Sequence, residues 1–213
     1  MKQQGKSFED SWTIGEILQS QHEIVSLEAI KALEHAVTPC EWHRGDAVVE
    51  QNEICDKWIF IASGLHRIMF QRGKKTDTLF FGGGGDVFTS FHTLCDNKAS
   101  IFRVEAMTDC HGWEISHYKY RMLQEQFPDL IKFELGMLRH QFYMLEDYYS
   151  RRGLLSAQER YERYWDQREG KLKRFRADEF RKYLPMKVVA QYLSMTPEML
   201  SILRRRDVSN DKK

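Results

Sequence analysis

The C-terminal part of the chain carries a group of side chains suited to nucleic-acid binding. Three consecutive arginines, residues 204–206, follow shortly after Glu198. Guanidinium groups bind phosphate and guanine through paired hydrogen bonds, and a carboxylate accepts a hydrogen bond from the amine of cytosine. These residue types, so close together, predict contact with DNA. The candidate DNA-binding residues are Thr196, Pro197, Glu198, Ser201, Ile202, Arg204, Arg205 and Arg206.

Two short amphipathic helices must position these side chains. Thr196 suits a helix N-cap, Pro197 suits the first helical position, and Glu198 lies in the first turn, where the helix dipole favours a negative charge. The layout is typical of a helix-turn-helix, whose second helix enters the DNA major groove. The alternative is an ordinary helical hairpin. The apolar or small residues at helical spacing are Val189, Ala190, Leu193, Met195, Leu200 and Leu203.

The charge distribution agrees with this interpretation. The whole chain has a net charge of +1, but residues 171–213 contain 12 Lys and Arg against 5 Asp and Glu. This part therefore carries +7 and the remainder carries −6. A basic end on an acidic body is expected when one part of a protein meets nucleic acid. The alternative is a basic tail kept for solubility, which the coincidence with the two helices disfavours.

Other reactive side chains show no pattern that predicts catalysis or metal binding. The four cysteines lie far apart without a C-x-x-C pair, and the eight histidines have no metal-ligand spacing. The glycine run 82–85 is followed by Asp86 rather than by Lys and Ser or Thr, so a tight turn is expected and not a phosphate loop. We therefore predict no enzyme activity, no metal and no cofactor.

Composition indicates a cytoplasmic protein with a proper core. The 213 residues are 42% hydrophobic and 30% charged. No apolar run approaches the roughly 20 residues that span a bilayer, and the first residues lack an apolar signal region. We expect one large or two modest domains and no membrane partner.

The first half of the chain changes in pattern from helix to strand. Residues 8–36 show helical spacing, and Pro39 closes this region. Short runs rich in β-branched and aromatic residues follow, separated by Gly, Asn and Asp. Many short strands at regular spacing predict an antiparallel sandwich or barrel. The candidate strands are residues 47–49, 58–61, 65–70, 78–81, 101–106 and 112–115.

After Pro128 the apolar residues adopt the spacing of a coiled coil. They alternate in steps of four and three over nearly three heptads. Such a narrow stripe favours self-association of a long helix, although a core helix within one chain is the alternative. The candidate dimer-interface residues are Ile131, Leu135, Leu138, Phe142, Leu145 and Tyr149.

The order of these features resembles the Crp/Fnr family of bacterial transcription factors, the family of the catabolite activator and the fumarate-nitrate regulator. The resemblance covers nearly the full chain, and the chain length is similar to that of divergent members from Bacteroidetes. The segments that carry it are HRGDAVVEQNEICDKWIFIASGLHRI, RVEAMTDCHGWEIS and VVAQYLSMTPEMLS.

The resemblance implies an α+β fold with three parts. Residues 1–128 would form N-terminal helices and a β-roll, a double-stranded β-helix or jelly roll like that of cyclic-nucleotide-binding domains. Residues 129–155 would form a dimerisation helix, and residues 156–213 a helix-turn-helix DNA-binding domain. The implied partners are DNA, a second copy of the chain and, as a further candidate, RNA polymerase. The implied effector pocket comprises Phe88, Thr89, Ser90, Phe91, Ser100, Ile101, Arg103 and Phe142.

The pocket departs from the members that bind cyclic AMP. Their Gly-Glu pair is Thr89-Ser90 here, their phosphate-clamping Arg-Ser pair is Ser100-Ile101, and their adenine-reading Thr-Ser pair falls near Leu145-Glu146. A buried phosphate without its arginine is an uncompensated charge that costs several kcal/mol. We therefore predict that cyclic AMP is not the effector. The closely spaced N-terminal cysteines of the iron-sulfur members are also missing.

The second helix of the predicted helix-turn-helix departs from the family as well. Glu198 matches the family glutamate, but the arginines usually found before and after it are Pro197 and Ile202. Losing an arginine-guanine contact changes the preferred site or weakens discrimination by ~1–3 kcal/mol per pair. Two rivals to a DNA-binding regulator follow. One is a ligand-binding or protein-interaction module that no longer reads DNA, and the other is a cupin-like enzyme, for which the histidines are too scattered.

Overall fold

The structure is a computed structural model that describes residues 7, 9–20, 25–73, 75–165 and 182–210. Two helices precede the strands, α1 (Ile14–Ser20) and α2 (Leu27–Ala36). Their apolar sides pack with Trp58 and Phe60 of the sheet in one buried cluster. The helical region predicted for residues 8–36 contains these two helices, and residues 8 and 21–24 lie outside the described residues.

Eight antiparallel strands form two four-stranded sheets that face one another, and this confirms the predicted sandwich. The strand order is β1-β8-β3-β6 in one sheet and β2-β7-β4-β5 in the other. We call this sandwich the roll. Its strands are β1 (Thr38–Trp42), β2 (Ala47–Val49), β3 (Lys57–Ser63), β4 (Leu65–Arg72), β5 (Lys75–Gly83), β6 (Val87–Phe88), β7 (Arg103–Ala106) and β8 (Cys110–Ser116).

Alternation along the strands places the core between the sheets. In β7, Val104 and Ala106 are buried while Arg103 and Glu105 are half-buried. Because successive side chains of a strand point to opposite faces, the two charged residues lie on the outer face. The buried cluster between the sheets contains Val48, Val49, Ile59, Ile61, Phe88, Val104 and Ala106.

Four elements of the roll region were not predicted, and one predicted strand begins late. Strand β1 contains Pro39, which is tolerated because β1 is an edge strand. The predicted strand 101–106 begins only at Arg103, because Ser100 Oγ bonds locally to the carbonyl and N–H of Phe102 and competes with strand pairing. The other unpredicted elements are β6, α3 (Phe91–Asp96) and α4 (His117–Gln126).

A 26-residue helix, α5 (Asp129–Leu154), leaves the roll. Leu130, Phe133 and Met137 on one side of α5 are buried in the cluster that contains α1, α2 and β3. Helices α6 (Ala157–Trp165), α7 (Met186–Tyr192) and α8 (Pro197–Asn210) follow, and we call residues 157–165 and 182–210 the head. Within the described residues, no helix is both long and apolar enough to cross a bilayer.

Candidate functional site

The head is built around a tight turn between α7 and α8. Ser194 in this turn has φ +53°, and the N–H of Met195 donates to the carbonyl of Ala190 at 3.0 Å. Ala190 is 1% exposed, as expected for a small residue where two helices approach closely. Val189, Leu193, Leu200 and Leu203 are buried around it. The apolar pattern of the sequence therefore forms the contact between the two helices.

The start of α8 is capped as its residue types predict. The hydroxyl of Thr196 accepts the backbone N–H of Met199 at 3.2 Å, which satisfies one of the N–H groups left free at a helix start. Hydrogen bonds from its own backbone N–H and from Thr196 lower the pKa of the Glu198 carboxyl below its ordinary value. Glu198 is therefore an anion at neutral pH, able to accept a hydrogen bond.

The candidate DNA-binding residues lie together on the outside of the head. Ser201 is half-buried, and the others are exposed: Thr196, Pro197, Glu198, Ile202, Arg204, Arg205 and Arg206. Arg204 contacts α7, because its Nη1 lies 2.6 Å from the sulfur of Met186. The outer side of α8 thus carries both the anion and the cations that the sequence analysis singled out.

The opposite side of the head is docked on the roll of the same subunit. The hydroxyl of Thr78 on β5 donates to Gln191 Oε1 at 3.2 Å. The ring of Phe81, also on β5, lies 5.1 Å from the ring of Tyr192. Leu65 and Met107 of the roll share a buried cluster with Val189 and Leu193. Through α7, the roll therefore fixes the orientation of the head.

Two arginines hold the carbonyl groups at the end of α7. Arg160 donates from Nε to the carbonyl of Leu193 at 2.7 Å, and Arg151 donates from Nη1 to the carbonyl of Tyr192 at 3.4 Å. Arg151 is 4% exposed, forms an ion pair with Asp147 at 2.9 Å, and stacks 4.2 Å above the Tyr192 ring. Cations at a helix C-terminus satisfy carbonyls that lack partners within the helix.

A third arginine joins the roll, α5 and the head at one point. Arg152 forms an ion pair with Asp77 of β5 at 2.5 Å and donates to Ser194 Oγ at 2.8 Å. It also contacts the hydroxyl of Tyr148, which donates to Asp77 Oδ2 at 3.3 Å. Sequence reasoning missed Arg151, Arg152 and Arg160. Their only signal was a cluster of cations after the apolar stripe of α5.

The polar residues of the predicted effector pocket bond within the roll. Ser90 is the N-cap of α3 and accepts the N–H of Thr93 at 3.3 Å. The hydroxyl of Ser100 donates to the carbonyl of Phe102 at 2.9 Å. Thr89 Oγ1 lies 2.6 Å from His117 Nε2, and burial lowers the pKa of His117 below its ordinary value of 6.5. Thr89, Ser90 and Ser100 are almost fully buried.

The remaining predicted pocket residues do not converge on one place. Phe88 is buried against His66, with ring centroids 4.5 Å apart, and Phe91 packs edge-on against Trp58. Arg103 forms ion pairs with Glu50 and Glu105 on the outer face. Ile101 and Phe142 are 45% and 63% exposed. Thr89, Ser90 and Ser100 thus bond to separate partners, while Arg103 is engaged by two carboxylates.

The glycine run forms a turn that accommodates a buried contact between a histidine and a carboxyl group. His66 Nε2 lies 3.3 Å from Asp86 Oδ2, and both side chains are almost fully buried. A Cβ at Gly82 would stand 1.9 Å from that carboxylate oxygen, so only glycine fits there. Gly85 has φ +90°, a conformation that suits glycine. The run is therefore a structural turn, as the sequence predicts.

The apolar stripe of α5 is exposed in the single chain. The six predicted dimer-interface residues are 53%, 46%, 41%, 63%, 47% and 70% exposed, in the order Ile131, Leu135, Leu138, Phe142, Leu145 and Tyr149. Tyr143, also on α5, is 70% exposed. Large exposed apolar patches are typical of interaction sites.

Cys40, Cys55 and Cys110 are free thiols of low reactivity. Burial, with a contribution from Glu114, raises the pKa of Cys40 to about 11, and burial raises that of Cys110 to about 12. Thiols with raised pKa are poor nucleophiles. Among the described residues, no group of three or more His, Cys, Asp or Glu is arranged to hold a metal ion.

Comparison with known protein families identifies the domain that contains the roll. Residues 39–127 match the family model of the cyclic nucleotide-binding domain. No curated protein sequence matches the chain significantly.

Solved structures match most of the chain. CLP, a c-di-GMP responsive global regulator of Xanthomonas campestris, is 12% identical with a TM-score of 0.67, covering 87% of this chain and 93% of its own. FixK2 of Bradyrhizobium japonicum is 15% identical with a TM-score of 0.67, covering 82% and 86%. A protein of Eubacterium rectale, provisionally described as a transcriptional regulator of the Crp/Fnr family, is 12% identical with a TM-score of 0.66, covering 87% and 85%.

At such low identities these matches establish the fold rather than the activity. The chain therefore has the fold of Crp/Fnr-type regulators, with a cyclic nucleotide-binding domain match over residues 39–127.

Proposed function

We propose that the protein is a homodimeric DNA-binding transcriptional regulator of Crp/Fnr type. The observation that carries the proposal is the outer side of α8, where Glu198 and three exposed arginines stand on a capped helix of a compact head. The head acts as a helix-turn-helix whose second helix enters the major groove. The similar structures include proteins described as a global regulator and a transcriptional regulator, which supports this assignment.

The arginines supply phosphate contacts, and the first turns of α8 supply base contacts. Arg204, Arg205 and Arg206 neutralise phosphates, while Glu198 accepts a hydrogen bond from a base amine. Pro197 and Ile202 provide no hydrogen bond at positions where the family usually has arginines. We therefore expect a target sequence that differs from the common Crp or Fnr sites.

The α5 stripe mediates dimerisation. Its six residues are exposed and follow the coiled-coil spacing, so pairing two copies of α5 buries them in a seam. A two-fold pair of heads then binds two half-sites about one DNA turn apart. Through this arrangement the protein reads a palindromic site. Contact with RNA polymerase is a further expected property of such a regulator.

Cyclic AMP does not fit the roll as its effector. The position of the phosphate-clamping arginine is Ser100, whose hydroxyl is engaged by Phe102, and the neighbouring Thr89 and Ser90 are buried with partners of their own. A phosphate placed there would lose its hydration without gaining a cation. Calorimetric titration is expected to show no micromolar binding of cyclic AMP or cyclic GMP, and such binding would contradict this part of the proposal.

DNA selection tests the function directly. Selection from random DNA with the full chain is expected to enrich a palindrome. In gel shifts with the enriched site, the double variant Arg204→Gln/Arg205→Gln should weaken binding to all sequences and reduce the salt dependence by roughly two phosphate contacts per head. The matched control is Lys119→Gln/Arg121→Gln, which removes two exposed cations from α4 and should leave binding unchanged. Equal effects of the two double variants would contradict the assignment.

The dimer is tested separately from DNA binding. Leu138→Glu places a charge in the stripe and should convert the dimer to a monomer in analytical ultracentrifugation. Tyr118→Glu is the control, because Tyr118 is 75% exposed on α4 and lies outside the stripe. A monomeric wild-type protein at micromolar concentration would contradict the homodimer.

A second function is favoured by Pro197 and Ile202 alone. A head without its usual arginines would suit a ligand-binding or protein-interaction module that has lost sequence-specific DNA binding. Failure to enrich any sequence in the selection, with the dimer intact, would favour this module over the regulator.

A further inference from the structure

The hairpin that joins β4 to β5 ends in a group of cations. Residues 70–75 read FQRGKK, with three cations and no acidic residue. Arg72 ends β4, Lys75 begins β5, and both are exposed. Within the part of the chain that the structure describes, neither of these two side chains forms a hydrogen bond or an ion pair. Lys74 lies between them in the sequence but outside the described residues.

The pairing of the two strands holds these cations side by side. Arg72 and Lys75 lie directly opposite one another in the register of the hairpin. Opposite residues of an antiparallel pair project from the same face with their Cβ atoms roughly 5 Å apart, and like charges in such a pair are destabilising. An anion held between the two side chains would remove this repulsion and accept hydrogen bonds from both.

The face of the hairpin that carries the cations is the face that contacts the head. Alternate residues of a strand share a face, so Lys75 lies on the same side of β5 as Asp77. Asp77 pairs with Arg152, which donates to Ser194 Oγ in the turn before α8. Two residues of a strand span about 7 Å. The cations therefore lie a short distance beyond the point where β5 meets that turn.

Two carboxylates next to the hairpin are engaged by other cations. Asp77 pairs with an arginine of α5, as described above. Glu50 precedes Gln51, whose side chain bonds to the backbone of Gln71, and Glu50 pairs with Arg103. These carboxylates are therefore neutralised by partners of their own, and the tip of the hairpin carries a positive charge.

The position of the tip favours a DNA phosphate as the anion. The turn at Ser194 leads within two residues to Thr196, which caps the start of α8. A helix that enters the major groove, which is about 12 Å wide, is flanked by the phosphates of both strands. A cationic hairpin beside the start of such a helix faces one of these two rows of phosphates.

We infer that the tip of the β4–β5 hairpin is a second DNA-contacting element, in which Arg72 and Lys75 together hold one backbone phosphate of each half-site. The roll thereby binds DNA directly, in addition to fixing the orientation of the head. Because the contact is made to the backbone, it adds affinity without sequence preference. This inference rests on the proposed function, since it requires that α8 enters the groove.

The salt dependence of DNA binding tests the contact. With the full chain and the site enriched by selection, Arg72→Gln/Lys75→Gln should weaken binding about tenfold. It should also reduce the slope of log K against log salt concentration by about 0.9 per half-site. Arg72→Lys/Lys75→Arg keeps both charges and should retain most of the slope. The matched control is Lys119→Gln/Arg121→Gln, which removes two exposed cations from α4 and should leave the slope unchanged.

A scan with neutral phosphates identifies the contacted position. In a set of duplexes, each phosphate of one half-site is replaced in turn by a methylphosphonate, which carries no charge. At one position the replacement should weaken binding of the wild type but not of Arg72→Gln/Lys75→Gln, because the variant has already lost that contact. A hairpin that acts only through the fold would weaken binding to every duplex equally, and this result would overturn the inference.

Two further measurements test other partners of the tip. Because the substitutions remove a repulsion, Arg72→Gln/Lys75→Gln should unfold at the same temperature as the wild type or at a higher one. Its dimer should remain intact in analytical ultracentrifugation. A lower unfolding temperature would reveal an acidic partner within the subunit, and a weakened dimer would place the tip against the second subunit. Either result would overturn the contact with DNA.

The inference and the proposed function fail in different ways. If the wild type enriches a palindrome and the hairpin variant keeps the wild-type salt dependence, the hairpin contact is wrong and the regulator remains. If the α4 control loses as much affinity as the hairpin variant, binding follows net charge alone and the hairpin contact is again wrong. A wild type that enriches no sequence and binds no duplex overturns both.

Discussion

Two polar regions of the molecule differ in how far apart in the sequence their hydrogen-bonded side chains lie. In the region 89–100, which we call the cassette, Ser90 bonds to Thr93 and Ser100 bonds to Phe102, so the partners of these two hydroxyls lie three and two residues away. At the junction, which we define as β5, the end of α5 and the turn 192–194, Arg152 joins Asp77 and Ser194, which are 75 and 42 residues away.

This difference indicates which part of the molecule can move. The cassette cannot rearrange without breaking bonds inside the roll, where its polar groups are buried. The junction opens when Arg151 and Arg152 release their partners in the head, and the roll keeps its own core. A change of head position therefore costs a few hydrogen bonds and the apolar contact of the head with Leu65, Phe81 and Met107 of the roll.

The largest expected effect comes from Arg151, the buried member of the junction. Arg151→Met removes a buried charge from Asp147 and from the carbonyl of Tyr192 and should lower the free energy of unfolding by about 3 kcal/mol. Chemical denaturation measures this change. The control Arg121→Met alters an exposed arginine of α4 and should change stability by less than about 0.5 kcal/mol. Similar losses in both variants would show that the junction does not depend on Arg151.

The cassette is tested through its helix cap. Ser90→Ala removes the N-cap of α3 at a buried position and should cost about 1 kcal/mol, seen as faster hydrogen exchange in the roll. The matched variant is Ser156→Ala, which removes the hydrogen bond from the N–H of Glu159 at the start of α6. It should affect exchange in the head instead. Faster exchange in the head of Ser90→Ala would show that cassette and junction are coupled.

A smaller effect on stability is expected from the protonation of His117, which contacts Thr89 at the edge of the cassette. Burial lowers the pKa of His117 below 6.5 in the folded protein, so the unfolded chain takes up the proton first as the pH falls. The contribution of neutral His117 to the unfolding free energy is complete above pH 6.5 and is lost as the pH falls through the pKa of His117 in the folded protein. Unfolding free energies measured from about pH 7 to about pH 5 should fall less in His117→Gln than in the wild type. His92→Gln, an exposed control on α3, should follow the wild type.

The smallest effect on stability is expected at the surface of the junction. Asp77→Asn removes the ion pair with Arg152, and because both side chains are about one-third exposed, the loss should stay below about 1 kcal/mol. Hydrogen exchange at the turn 192–194 should nevertheless become several-fold faster. Asp96→Asn breaks an exposed pair with Lys98 and should leave that turn unchanged. Unchanged exchange in Asp77→Asn would argue that Arg152 does not hold the head.

Residue types and spacing predicted the elements that depend on interactions between residues close together in the chain. The cap at Thr196, the turn at residues 82–85 and the six exposed positions on α5 follow from residue type and spacing. The elements that were missed are short, such as β6 with two residues and α3 with six, and a periodic pattern needs more length to be detected. Pro39 closes the helical region, as expected, but it also lies within strand β1. Proline is tolerated there because β1 is at the edge of its sheet, and the sequence does not specify which strand takes the edge position.

By itself, the sequence determined the capped helix with its arginines, the alternating strands and the apolar stripe, because each depends on residues a few positions apart. Only the tertiary structure decided that Arg151, Arg152 and Arg160 bond to the end of α7 and the turn that follows it. These features join side chains that are far apart in the chain, and spacing along a sequence does not encode which distant side chains meet.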